Sequence, residues 1–284
     1  MSNADQEQGT CPFLRWAGSK RQSLSRLAVF WNASYERYVE PFAGSATLFF
    51  RLGPRVALLA DKNRELIEAY RVLRRSPEEL HARIAAMPSD EATYYRFRSD
   101  DPAGLSSLNR AARFIYLNRY CFNGIFRTNQ EGRFNVPYAG TRTAALPTVE
   151  QFRECARLLQ NAELRAWDFG TTLRHVRKGD FVYLDPPYVV RDRRVFAQYG
   201  PFSFSGGDID RLRKHLERVD AKGATFVLSY ADCAEARKEL GTWSAVRIAV
   251  RRHIAGFASA RRRSYEVLIT NATNGGIGRE HEGN

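Results

Sequence analysis

The stretch FVYLDPPYVV, residues 181–190, places a carboxylate, two prolines and a tyrosine where an apolar, strand-like run ends. Proline cannot donate a hydrogen bond to a sheet ladder, so Pro186 and Pro187 end the strand and fix the backbone. Asp185 and the carbonyl of Pro186 then remain as acceptors at the carboxyl end of the strand, where α/β sheets bind ligands. Tyr188 offers an aromatic face beside these two acceptors.

Two acceptors beside a stacking ring suit a planar group that carries an NH2, such as the exocyclic amine of a nucleobase. If the amine donates one hydrogen to Asp185 and the other to the Pro186 carbonyl, its lone pair is drawn out of conjugation and can attack an electrophile. The structural alternative is a strand that simply ends in Pro-Pro with a capping Asp.

A second motif, EPFAGSAT at residues 40–47, indicates a cofactor turn. The small residues Gly44, Ser45 and Ala46 let a ligand approach the backbone between a strand end and a helix start. Asp61 follows about twenty residues on, where a carboxylate commonly accepts hydrogen bonds from ribose hydroxyls. No Walker lysine follows the glycine turn, so the pattern favours a nucleoside-containing cofactor without phosphates over ATP.

A parallel sheet is predicted to position these motifs. RYVEPFAGSATLFFRL and RVALLADKNRELIEAYRVL each indicate a strand, a turn and a helix. A further helix is predicted to start at Ser76 and Pro77, and helical patterns prevail from about residue 73 to 117, broken at SDDPAG, residues 99–104. Helical spacing after Asp61 is set by Leu66, Ile67, Tyr70 and Leu73.

The segment LNRYCFNGIFRTNQEGRFNVPYAG, residues 117–140, predicts a hairpin, because aromatic residues flank an Asn-Gly step and a polar turn. Strand and helix alternation then resumes. The predicted strands lie in ELRAWDFG, DFVYLDPPY, ATFVLSY, WSAVRIAV and YEVLITN, and a helix from about residue 208 to 219 presents Ile209, Leu212, Leu216 and Val219 on one face. The pattern predicts one α/β domain split by an insertion.

The composition favours a polyanionic partner. The 284 residues carry 44 Lys and Arg against 31 Asp and Glu, a net charge of +13, and nucleic acid is the partner this charge favours. The alternative is a basic protein whose Arg content reflects codon bias. The basic clusters at residues 191–194, 251–253 and 261–263 suit either phosphate contact or a solvated surface.

Export, membrane insertion and metal binding are not indicated. The amino terminus is polar and acidic, and no run approaches the roughly 20 apolar residues that span a bilayer. The four cysteines show no close pairing and no metal-ligand spacing with the histidines, so we expect a reducing cytoplasm and no metal.

The motifs LRWAGSK, VEPFAGSAT, LNRYCFNGIFRTNQEGRFNVPY and YLDPPY occur in the order seen in Dam-type DNA adenine-N6 methyltransferases of the alpha group. The chain resembles this family over roughly residues 13 to 271. The resemblance implies a Rossmann-like methyltransferase sheet with helices on both faces, interrupted by a mostly helical target recognition domain carrying a β-hairpin. The implied boundaries are 10–70 and 146–273 for the methyltransferase domain and 71–145 for the recognition domain, with the hairpin at about 118–138.

The resemblance also implies the cofactor, S-adenosylmethionine, with S-adenosylhomocysteine as product. Within the motifs, Asp61 matches a contact to the ribose, and Asp185, Pro186, Pro187 and Tyr188 match the residues that hold a flipped adenine. The implied cofactor pocket comprises Trp16, Lys20, Phe42, Gly44, Ser45, Asp61, Asp168, Phe169 and Asp185. Two departures, Ser19 and Ala46, stand where the family has glycine; both are small, so we expect the pocket to survive with an altered cofactor affinity.

Double-stranded DNA is the implied partner. Phe122 matches an aromatic that wedges into the duplex and Asn123 a backbone contact, whereas the positions that read base pairs are Arg15, Ile125, Arg127 and Pro137. An Arg fork matches the O6 and N7 acceptors of guanine, worth about 1 to 3 kcal/mol of discrimination, and an apolar residue can meet a thymine methyl. The alternatives are core positions for Phe122 and Ile125 and a solvated charge for Arg127.

The expected reaction is therefore site-specific methylation of N6 of a flipped adenine, with GATC as the predicted site. The alternatives are methylation of cytosine N4, whose amine could use the same acceptors, and a catalytically idle DNA-binding module of the same fold. We expect a monomer in the cytoplasm of a bacterium, an archaeon or a phage-infected cell; whether it acts alone or beside a restriction endonuclease is left open by the motifs.

Overall fold

Seven strands form one mixed sheet. The structure, a computed structural model, describes residues 13–16, 20, 23–187, 204, 206–251 and 263–272. The strands are β1 (Arg37–Glu40), β2 (Ala57–Ala60), β3 (Ala162–Arg165), β4 (Asp180–Leu184), β5 (Thr225–Ala231), β6 (Ser244–Arg251) and β7 (Arg263–Thr270). Their order in the sheet is β3-β2-β1-β4-β5-β7-β6. The first five strands pair in parallel, and β7 runs antiparallel to both β5 and β6.

Helices cover both faces of this sheet, as predicted. They are α1 (Leu24–Ala28), α2 (Thr47–Leu52), α3 (Arg64–Arg75), α4 (Pro77–Ala85), α5 (Glu91–Ser99), α6 (Ser107–Tyr120), α7 (Val149–Leu159), α8 (Phe169–Arg174), α9 (Gly206–Ala221) and α10 (Ala234–Leu240). On one face Tyr38 and Phe181 share a core with α3, α4, α6 and α7, and on the other Val39 and Val182 share one with α8, α9 and α10. None of the helices in the described ranges is long and apolar enough to cross a membrane.

The starts of α3 and α4 and the buried positions of α3 and α9 agree with the predictions from the sequence. The Asn63 side chain accepts a hydrogen bond from the Leu66 amide at 3.2 Å and so caps α3, and α4 begins at Pro77 directly after Ser76. The predicted apolar positions of α3 and α9 are all buried: Leu66, Ile67, Tyr70, Leu73, Ile209, Leu212, Leu216 and Val219. Hydrophobic periodicity therefore located both helices correctly.

Residues 121–138 fold back on themselves as the hairpin prediction required, but without continuous strands. Antiparallel pairing is confined to two isolated bridges, Cys121 with Tyr138 and Thr128 with Phe134. The reason is local, because Asn123 and Gly124 both have positive φ, at 55° and 62°, and bend the chain directly after the first bridge. The segment packs on α5 and α6 through a core of Tyr94, Tyr116, Leu117, Cys121 and Val136.

The turn after β1 keeps a glycine-like backbone at a residue that is not glycine. Ala46, which precedes α2, has φ 48° and ψ 38°, the left-handed conformation, and Gly44 two residues earlier has φ 47°. This conformation costs an L-residue about 1 to 2 kcal/mol. The turn therefore keeps its glycine conformation at Ala46, and the cost falls on the stability of the fold.

We predict that Ala46→Gly leaves the free energy of unfolding within about 0.5 kcal/mol of the parent, because relief of about 1 to 2 kcal/mol of strain offsets the lost methyl and the added chain entropy. The control is Ala112→Gly, at a buried position inside α6. It should cost about 2 kcal/mol, the sum of a helix-propensity loss and a buried methyl. Urea unfolding of both variants measures the difference, and equal losses at the two positions would contradict the strain at Ala46.

Candidate active site

The predicted site residues follow four neighbouring parallel strands. Asp168 lies after β3, Asp61 after β2, Gly44 after β1 and Asp185 after β4, and the sheet order β3-β2-β1-β4 places these strand ends side by side. Because neighbouring strands lie about 4.8 Å apart, the four segments line one edge of the sheet. β1 pairs with β2 on one side and β4 on the other, so this edge is the switch point where α/β sheets bind ligands.

Asp61 is fixed against the turn that follows β1. Its carboxylate accepts hydrogen bonds from the Gly44 amide at 3.1 Å and from the Asn63 amide at 2.9 Å. Burial raises the pKa of Asp61, and the two backbone hydrogen bonds oppose that shift. The Tyr70 hydroxyl on α3 donates a hydrogen bond to the Gly44 carbonyl at 2.7 Å, which fixes the turn against that helix.

Trp16 lies directly over this turn. A Cβ placed on Gly44 would approach the Trp16 Nε1 to 2.8 Å, so only glycine allows this packing. The other side of Trp16 stacks on Phe126 at 6.2 Å between ring centroids and an interplanar angle of 11°. Ser45, in the same turn, is buried and shares a hydrogen bond of 2.8 Å with the Thr47 hydroxyl.

Aromatic rings line the edge near β3. Phe42 stacks on Phe169 with a centroid distance of 5.3 Å. Asp168 caps α8 by accepting the Gly170 amide at 2.9 Å, and Arg211 on α9 donates to both oxygens of this carboxylate. Burial opposes ionisation of Asp168, but the Arg211 and Gly170 hydrogen bonds outweigh it and lower the pKa.

Arg211 was not among the predicted residues. Its guanidinium carbon lies 4.3 Å from the centroid of the Phe169 ring, beside the Asp168 carboxylate. In the sequence it is one charged residue in an amphipathic helix, so no local signal marks it.

Asp185 follows β4, which ends at Leu184 before the two prolines, as predicted. Its carboxylate is 23 % exposed, and its Oδ1 lies 3.2 Å from the Nζ of Lys20. The same Nζ contacts Glu266 on β7 at 3.0 Å. Pro186 is buried and Pro187 half-buried, whereas Tyr188 lies outside the described residues, as does Ser19.

Two buried carboxylates near this edge were missed. Glu266 is 4 % exposed, and its only sequence signal is a charge inside the apolar run YEVLIT. Glu40, the last residue of β1, is 3 % exposed and accepts the Tyr38 hydroxyl at 3.0 Å. Burial raises the pKa of Glu40 well above its usual value, and the charges of Asp185 and Asp61 add to the shift.

The predicted DNA-contacting residues lie together, on residues 121–138 and on Arg15, which packs against them. Asn118 clasps the backbone of Arg15, accepting its amide at 2.9 Å and donating to its carbonyl at 2.6 Å. Gly124 has positive φ, and a Cβ there would approach the Arg15 Cβ to 2.6 Å. Arg15 therefore packs directly against the 121–138 segment.

That segment carries the remaining five predicted DNA contacts. Arg127 donates its Nε to the Asn135 side chain at 2.8 Å, so its guanidinium is held in place. Asn123 and Pro137 are exposed. Phe122 and Ile125 are half-buried against the core of the segment, so both can contribute to packing as well as to contact with a ligand.

The basic clusters fall largely outside the described residues. Residues 191–194, 252–253 and 261–262 are not described. Only the backbones of Arg251 and Arg263 are, and they pair with each other at the ends of β6 and β7.

Comparison with known proteins identifies the family. Residues 16–254 match the family model for D12 class N6 adenine-specific DNA methyltransferases. The chain is 32 % identical over 272 residues to a type II methyltransferase, M1.LlaDCHI, of Lactococcus lactis subsp. cremoris, covering 93 % of this chain and 96 % of the relative. It is 30 % identical over 261 residues to a DNA adenine methylase of Salmonella typhi, covering 90 % and 93 %.

An archaeal relative, the type II methyltransferase M.MjaIII of Methanocaldococcus jannaschii, is 29 % identical over 240 residues, covering 77 % of this chain and 83 % of the relative. The family description specifies N6 of adenine, which supports neither the cytosine alternative nor the idle module. The chain belongs to the D12 class of N6-adenine-specific DNA methyltransferases, enzymes that methylate adenine in DNA.

Proposed function

We propose that the methyl donor is S-adenosylmethionine, bound along the carboxyl edge of β3, β2 and β1. The side chains at this edge suit its chemistry. Asp61 offers a carboxylate for ribose hydroxyls, Phe169 offers an apolar ring for the adenine, and Phe42, which stacks on Phe169, contacts the methionine side of the cofactor. Asp168, oriented by Arg211, offers an acceptor for the adenine amine. Trp16, Lys20, Gly44 and Ser45 complete the proposed pocket. When bound, the cofactor supplies a methyl group on a sulfonium, and loss of that methyl group leaves a neutral thioether.

The observation that carries the proposal is the position of Asp185. It directly follows β4, is part-exposed, and is itself followed by the two prolines. Asp185 and the Pro186 carbonyl accept hydrogen bonds from the two N–H groups of the flipped adenine amine, and Tyr188 stacks on the ring. As the methyl group bonds to N6, one of these protons leaves N6 and passes by way of the part-exposed Asp185 to solvent. Orientation of the amine lone pair and electrostatic stabilisation then supply most of the acceleration.

We further propose that residues 71–145 form the target recognition domain and that residues 10–70 and 146–273 form the methyltransferase domain. Phe122 fills the gap left by the flipped base, which offsets part of the cost of a few kcal/mol for extrusion. Asn123 contacts the backbone, and the base pairs are read by Arg15, Ile125, Arg127 and Pro137. GATC is the proposed site.

The names of the relatives bear on the partner of this protein in the cell. Two of the relatives carry names of type II methyltransferases, which supports a partner restriction endonuclease for this chain as well. We propose that the enzyme acts as a monomer on cytoplasmic DNA.

Transfer of a labelled methyl group from S-adenosylmethionine to a duplex containing GATC tests the reaction. We predict N6-methyladenine as the sole labelled nucleoside, and a loss of about 10³-fold in the single-turnover rate for Asp185→Ala, since the amine loses its charged acceptor. The control is Glu154→Ala, which removes an exposed carboxylate on α7. Labelled cytosine, or a folded Asp185→Ala variant with the parent rate, would contradict the proposal.

Arg127 tests the proposed readout. We predict that Arg127→Ala lowers kcat/KM on GATC about 10- to 100-fold, equivalent to one bidentate contact with guanine. Replacing guanine by 7-deazaguanine, which removes the N7 acceptor, should slow the parent but not slow Arg127→Ala further. Arg133→Ala, at an 81 % exposed side chain in the same segment, is the control. If the base change and Arg127→Ala lowered kcat/KM additively, guanine would be recognised by a residue other than Arg127.

A further inference from the structure

Lys20 connects the end of β4 to the antiparallel part of the sheet. Its ammonium lies 3.2 Å from Asp185 Oδ1, and 3.0 and 3.1 Å from the two oxygens of Glu266. The Lys20 and Glu266 side chains are 8 % and 5 % exposed, whereas Asp185, just after the carboxyl end of β4, is 23 % exposed. One cation is therefore shared between a fully buried carboxylate and the carboxylate that we assign to the substrate amine.

Glu266 is held rigidly. It lies within β7, where its backbone pairs with Ala231 of β5 on one side and Ile248 of β6 on the other. The Glu266 charge acts on the same residue of β4 as the charge of Asp185. Burial raises the pKa of Tyr183, and the charges of Asp185, Glu40 and Glu266 raise it further. A buried carboxylate is costly unless it is paired, so this position suits a residue that keeps a cation in a fixed place.

A second buried ion pair shows what a purely structural pair looks like in this sheet. Arg37 and Asp180 face each other at the amino ends of β1 and β4, with Nη2 to Oδ2 at 2.6 Å. They lie at the edge opposite the candidate site, where Arg177 also places its Nε 3.9 Å from Asp180 Oδ1, and the Asp180 carboxylate is fully buried. Lys20 differs because its second carboxylate, Asp185, is part-exposed at the carboxyl end of β4.

We propose that Glu266 is a positioning residue for methyl transfer, which holds the Lys20 ammonium at a fixed distance from Asp185. This inference rests on the proposed role of Asp185. With its charge divided between two carboxylates, Lys20 orients Asp185 without withdrawing it from the substrate amine. Without the charge of Glu266, Lys20 pairs more strongly with Asp185 and competes with the amine for that carboxylate.

The test is a double-mutant cycle of Glu266→Gln and Lys20→Met, measured by single-turnover methylation of duplex DNA at saturating cofactor. Glu266→Gln should lower the rate about 10- to 100-fold, as losses of ligand-orienting groups do in metal sites. The dissociation constants for S-adenosylmethionine and duplex should change by less than about threefold, because Glu266 acts on the chemical step. In the Lys20→Met background, Glu266→Gln should change the rate by less than about twofold, because its effect runs through Lys20.

The matched control is Glu163→Gln on β3, which removes an exposed charge paired with Arg165. If Glu266→Gln does not fold, Glu266→Asp, which keeps the charge on a shorter side chain, should give a reduced rate with the same dependence on Lys20. A rate of either folded variant equal to the parent, or an equal loss with and without Lys20, overturns the inference. An inactive parent enzyme would instead overturn the proposed function, so the two failures are distinguishable.

Discussion

The alignment of parallel strand ends is the constraint on which the candidate site depends. Because β3, β2, β1 and β4 run in one direction and lie side by side, the segments that follow them open at one edge. Side chains from distant parts of the sequence meet there. Lys20 contacts both Asp185 after β4 and Glu266 on β7, and Glu266 lies 246 positions from Lys20 in the chain. The buried carboxylate of Glu266 is tolerated because it has a cationic partner, and its position within β7 is fixed by the sheet.

Trp16 connects the cofactor turn to the proposed DNA-reading segment. Trp16 packs against the Gly44 turn on one side and stacks on Phe126 of the 121–138 segment on the other. Arg15, the preceding residue, is clasped by Asn118 at the end of α6 and packs against Gly124. The short amino-terminal segment therefore links the two halves of the proposed function, which are well separated in sequence.

Patterns within short stretches of the sequence were enough to predict individual helices and the end of a strand. Helical spacing located α3 and α9, and Pro186 and Pro187 marked the end of β4. Partners distant in sequence could not be predicted this way: the contact of Arg211 with Asp168 and that of Glu266 with Lys20 arise only when the sheet brings them together. The hairpin was predicted in position but not in form, since positive φ at Asn123 and Gly124 interrupts the pairing. The roles assigned to the site residues remain predictions.

The proposed function requires that the end of β4 receive an adenine amine. Expression of the chain in a host that lacks adenine methylation, followed by genome-wide mapping of modified bases, tests it most directly. We predict N6-methyladenine at one short sequence, GATC, on both strands. Modification at cytosine N4, or an unmodified genome in cells that contain the folded protein, would contradict it.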